Sequence, residues 1–69
     1  MHSMRKGENV TVYSNNGKGI NCPIVDIDYG TDILFVRLPT NQVIEMKYDK
    51  KQQKYVGRFA RLEFTVIKD

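Results

Sequence analysis

The stretch ILFVRLPTNQVIEMKYDKKQQKYVGRFAR, Ile33 to Arg61, decides how the rest of this chain reads. It opens on the apolar run Ile33–Val36 and continues to Leu38, with Arg37 as its one polar interruption, expected to point to solvent. Pro39-Thr40-Asn41 ends that segment, because proline fixes φ and cannot donate to a strand ladder. Val43–Tyr48 then alternates: Ile44, Met46 and Tyr48 share one face, and Val43, Glu45 and Lys47 the other. Successive side chains of a strand point to opposite faces, so this is a half-buried strand. The wholly polar Asp49–Gln53 follows, and apolar residues resume at Tyr55, Val56 and Phe59. Lysine and glutamine are good helix formers, but the segment lacks the apolar spacing of a packed helix. A hairpin with its tip at Asp49–Gln53 is predicted instead, and Gly57 is expected to mark a bulge or bend.

Working outward, the last segment alternates Leu62, Phe64 and Val66 against Arg61, Glu63 and Thr65, which predicts a closing strand. Toward the start, Glu8–Ser14 places Val10 and Val12 on one face and Thr11 and Tyr13 on the other. Asn15-Asn16-Gly17 supplies residues that tolerate positive φ, so Ser14–Lys18 reads as a turn. From Lys18 to Asp28 the apolar parity switches: Ile20, Cys22 and Ile24 share one parity, Val25, Ile27 and Tyr29 the other. A bulge moves inward parity by one residue, and Pro23 belongs at an edge or bulge. A long bent strand with a bulge near Cys22–Ile24 is therefore predicted, followed by a turn at Tyr29–Asp32. Five or six short strands at regular spacing, with no convincing helix, predict an all-β fold: a small SH3-like antiparallel barrel.

The chain has 69 residues, which predicts a single domain spanning 1–69, near the size at which one core becomes marginal. One cysteine closes no internal disulfide, and one cysteine with one histidine makes no structural zinc site. Close packing, with self-association as a further route, is left to supply stability. The composition, 41% hydrophobic and 28% charged, is that of a soluble globular protein. No apolar run is long enough to span a bilayer, and Met1–Lys6 leads into Gly-Glu-Asn rather than a signal-peptide core. A cytoplasmic protein with no membrane partner is expected. Met4 reads as an alternative start, with residues 1–5 either disordered or not native to the protein, so His2 is given no role.

The Lys6-Gly7-Glu8-x-Val10-x-Val12 start, the Gly17-Lys18-Gly19 turn and the Ile24-Val25-x-Ile27 strand together resemble the KOW-type SH3-like barrels of ribosomal and transcription-elongation proteins. The resemblance is at the level of the fold. It covers residues 6–27 and departs from the family where Cys22-Pro23 stands in place of a usual second glycine. It implies an SH3-like architecture and a contact with RNA or a polymerase; function, however, lives in sites rather than folds.

Catalysis is not expected. Cys22 is the sole thiol, and no histidine lies near it in sequence to act as a base, so it reads as a small buried hydrophobe. Asp26, Asp28 and Asp32 form an acidic turn with too few ligands for a calcium or magnesium cage. Gly17 and Gly19 lack the flanking pattern of a phosphate loop. No cofactor and no metal are expected.

Charge is the one feature that exceeds the needs of the scaffold. The chain carries a net +3 and has a pI near 9.2. Residues 36–69 hold eight basic and four acidic side chains, against three and four in residues 1–35. Within Lys47–Arg61, Lys47, Lys50, Lys51, Lys54, Arg58 and Arg61 face Asp49 alone, with Tyr55 among them. Basic groups gain affinity for RNA or DNA by releasing counterions, and tyrosines such as Tyr55 and Tyr13 can stack on bases. These residues are the expected nucleic-acid-binding set; lysines on a hairpin that merely keep it soluble are the plainer alternative. The competing function is a protein-protein adaptor or inhibitor, of the kind a phage or mobile element encodes, acting through an exposed strand edge on a partner or a second copy.

Overall fold

The computed structural model of the chain describes residues 4–67, so the readings made for residues 1–3 lie outside the described residues. Six strands follow one another: β1 (Asn9–Ser14), β2 (Gly19–Asp28), β3 (Ile33–Arg37), β4 (Val43–Asp49), β5 (Lys54–Phe59) and β6 (Leu62–Ile67). Each pairs antiparallel with its sequence neighbour, and β6 returns to β1 to close the barrel. The predicted small all-β antiparallel barrel is thus the fold. Closure also corrects one expectation. No strand keeps a fully open edge, because every strand is paired on both sides.

Alternation decides which side chains fill the interior. Val12, Cys22, Ile24, Leu34, Val36, Leu38, Ile44, Met46, Tyr55, Phe64 and Val66 form one buried cluster, and no charged side chain joins them. Fully burying an aliphatic side chain of this size stabilises by roughly 1.5–3 kcal/mol, and these residues carry the fold. The parity switch in β2 is a bulge. Ile24 faces Val36, yet Asp26 faces Phe35, so Val25 is the extra residue. It lies just past the expected Cys22–Ile24. Pro23 sits within the ladder opposite Asn9, one residue before β2 begins to pair with β3, where its missing N–H disrupts no bond to β3.

Gly57 corrects a second expectation. It marks no bulge, because the β5–β6 register runs unbroken from Lys54↔Ile67 to Phe59↔Leu62. It is needed for close approach: a Cβ there would lie 2.6 Å from the Glu45 carbonyl oxygen and 3.0 Å from Ile44 Cγ2.

The two ends of the barrel are built differently. The upper end carries the turns at 29–32 and 50–53. Met4, Val10, Ile27 and Tyr48 pack onto the core, and Tyr48 meets the Tyr55 ring edge-on with centroids 5.1 Å apart. The Tyr55 hydroxyl donates to Asp32 Oδ1 at 2.5 Å, tying β5 to the turn before β3. The lower end carries the turns at 15–18, 38–42 and 60–61. There Leu38 is buried, but Ile20, Val43, Phe59 and Leu62 all stay 40–42% exposed.

Candidate binding surface

The predicted basic set is divided by the fold. Lys50 and Lys51 sit in the β4–β5 turn at the upper end, and Lys54 begins β5 directly opposite Asp49. Arg58 and Arg61 lie at the lower end. β5 rises about 3.3 Å per residue, which puts Lys54 and Phe59 roughly 17 Å apart. Lys47 occupies the outer face between the two groups, opposite Ile33 on β3 and Val56 on β5. The run that looks continuous in sequence is two basic sites on opposite ends of one strand.

Tyr55 leaves the set. It is buried, with only 3% of its surface exposed, because its parity on β5 points inward with Gly57. Burial, then the bond to Asp32, pushes its phenol well above the usual tyrosine value. A ring held in the core cannot stack on a base. Tyr13 is outward and 38% exposed, but one side of its ring lies on Gly19, where an added Cβ would meet Tyr13 Cε1 at 2.9 Å.

At the upper tip the turn is set by Asp49. Its carboxylate accepts the Lys51 N–H at 2.9 Å, the Gln52 N–H at 3.3 Å and the Gln52 side-chain amide at 2.9 Å. These bonds, that of the Gln52 side chain first, hold its carboxyl below the ordinary value. Gln53 takes φ of 55° to complete the reversal. Of the basic set, Lys47 pairs with Glu45 at 3.9 Å and Arg58 with Glu63 at 3.6 Å, both on the surface. Exposed pairs of this kind hold little energy and exchange readily for other partners. Lys50, Lys51, Lys54 and Arg61 form no ion pair among the described residues.

The neighbouring acids have structural duties. Asp28 Oδ1 accepts the Gly30 and Thr31 N–H groups, Asp26 Oδ1 accepts the Ile27 N–H, and Asp32 holds the Tyr55 hydroxyl. Cys22 is fully buried, and burial pushes its thiol pKa up, the wrong direction for a nucleophile.

The lower end gathers residues that are scattered in sequence. Lys18, Arg37, Arg58 and Arg61 are all exposed there, with Glu63 as the acid beside them. Phe59 faces Leu62 across the β5–β6 turn, and Arg37 faces Val43. Arg37 was legible only as a solvent-facing residue, and Lys18 only as part of a turn. Neither carries a local signal that links it to Arg61. No helix among the described residues is long and apolar enough to cross a membrane. The chain matches no family model, no curated protein and no solved structure, so its residues and their geometry carry the functional argument.

Proposed function

We propose that this chain is a non-catalytic binding module that contacts nucleic acid, alone or within a nucleoprotein machine such as a ribosome or RNA polymerase, through the lysine-bearing β4–β5 hairpin. The observation that carries this reading is the state of the lysines. Lys47, Lys50, Lys51 and Lys54 share one hairpin whose turn is stiffened by Asp49, and among the described residues only Lys47 of these is ion-paired, weakly and at the surface. A fixed turn presenting unpaired ammonium groups meets a phosphate backbone with little ordering cost. The fold-level resemblance to KOW-type barrels supports the same class of partner. The buried Cys22, with its raised pKa, supports a binding role over a thiol-based one.

Fluorescence anisotropy with a labelled single-stranded oligonucleotide, over a salt series, tests the reading. Affinity should fall as salt rises, and Lys50→Glu with Lys51→Glu should flatten the log–log slope by about two, near one unit per lost phosphate contact. No binding by the unaltered chain at about 50 mM salt, where counterion release favours association most, overturns it.

A further inference from the structure

We propose that the lower end of the barrel is a docking surface for an acidic protein segment that also carries apolar side chains. The inference is independent of the lysine hairpin and concerns the opposite end of the molecule.

The first observation is an asymmetry between the two inner rims. At the upper end Met4, Val10, Ile27 and Tyr48 pack against the core, and the exposed apolar residues there are Tyr29, in the 29–32 turn, and Ile67, at the end of β6. At the lower end the inward parity of β2, β5 and β6 terminates in Ile20, Phe59 and Leu62, which are 41%, 40% and 42% exposed. Val43, 42% exposed at the start of β4, lies on the outer face at the same end, opposite Arg37. Three half-exposed apolar side chains at the inner rim of so small a barrel, with Val43 outside them, form a patch rather than a scatter.

The second observation is charge. Lys18, Arg37, Arg58 and Arg61 lie exposed at the same end, and the Arg58–Glu63 pair, at 3.6 Å and solvent-exposed, is free to exchange for an incoming carboxylate. An apolar centre of aromatic and aliphatic residues with an arginine rim is the composition of a protein-protein hot spot. Of the exposed apolar residues at this end, Ile20, Val43 and Leu62 are aliphatic and offer no π-face on which a base could stack, and Tyr13 has one side of its ring against Gly19. That favours a peptide over a nucleic acid at this end.

The third observation is the backbone of the turn between β5 and β6. The two residues joining β5 to β6, Ala60 and Arg61, both have positive φ, 53° and 65°. A two-residue hairpin of this hand prefers Asn-Gly or Asp-Gly, because other side chains crowd the backbone there. Left-handed non-glycine residues persist where the surroundings over-determine them, often at ligand contacts. Arg61 thus occupies a position that glycine would fill without strain, in the turn that joins Phe59 to Leu62.

NMR of the full chain tests the proposal, titrated separately with a synthetic peptide of alternating glutamate and leucine, with polyglutamate of equal length and with oligothymidylate. The glutamate–leucine peptide should shift the amides of Ile20, Val43 and residues 59–62, and bind more tightly than polyglutamate. Arg61→Gly should raise the thermal midpoint yet weaken peptide binding about tenfold, the loss expected of one hot-spot residue. Leu62→Gln should weaken it by a similar factor. Lys50→Glu with Lys51→Glu should leave peptide binding unchanged, which separates this surface from the lysine hairpin. The proposal is overturned by any of four results: no shifts at these residues, equal binding of polyglutamate, displacement of the peptide from them by oligothymidylate, or full binding by Arg61→Gly.

Discussion

Gly57 and Tyr55 show how single side chains decide this barrel. Gly57 has no substitute where β5 crosses β4: a methyl group would sit 2.6 Å from a backbone oxygen that cannot rotate away. Gly57→Ala should cost about 1–3 kcal/mol by overpacking. In a domain of this size that lowers Tm by roughly 10 °C in a thermal melt. Tyr55 unites a buried ring with a hydroxyl that meets Asp32. Tyr55→Phe removes that donor and should cost about 1–3 kcal/mol. The same bond sets a pH dependence. The folded-state pKa of Tyr55 is raised above its unfolded value, near 10. Its contribution is therefore fully present below about pH 10 and is lost as pH rises further, because the unfolded chain then ionises first. Denaturant midpoints between pH 8 and about 11 should fall for the unaltered chain and fall less for Tyr55→Phe.

At the scale of elements, β6 is the strand on which closure depends. It pairs with β5 along its whole length and returns to β1 through Tyr13↔Thr65 and Ser14↔Phe64. Phe64 is buried and is the β6 residue that faces both Ser14 and Gly57. Phe64→Ala should cost about 3–5 kcal/mol, most of the stability a small domain has. Circular dichroism should then show a largely unfolded chain at room temperature, and a near-unchanged melt would contradict the place of β6 in the core. β2 shows how an element bends without breaking: its extra residue at Val25 moves Ile27 to the inward side and leaves Asp26 and Asp28 on the outer one.

For the whole molecule, topology sorts charge that sequence runs together. Antiparallel strands return the chain to the same end every second turn, so Lys18, Arg37 and Arg61 lie at one end although they are distant in sequence. The same rule parts Lys54 from Arg58 although they share β5. Two separate basic ends predict two separable salt-sensitive contacts. Lys50→Glu with Lys51→Glu should reduce the salt slope of oligonucleotide binding by about two, and Arg58→Gln with Arg61→Gln should leave that slope nearly unchanged. Anisotropy titrations of both variants at several salt concentrations measure this.

Strand order, turn positions, the parity switch in β2 and most of the core were legible in the sequence, because alternation and turn chemistry are local properties of adjacent residues. Val12, Ile44, Met46 and Phe64 declare their inward side by what stands next to them. The place of Tyr55 was not legible in this way: whether a tyrosine between lysines faces water depends on the register against β4 and β6. Nor was the need for Gly57, which comes from a close approach to Glu45, or the placement of Arg37 and Arg61 at one end. By itself, then, the sequence determined that this chain is a small antiparallel barrel with surplus positive charge on its second half. Only the tertiary structure decided that this charge occupies two ends, because the antiparallel barrel sets which strand termini become neighbours.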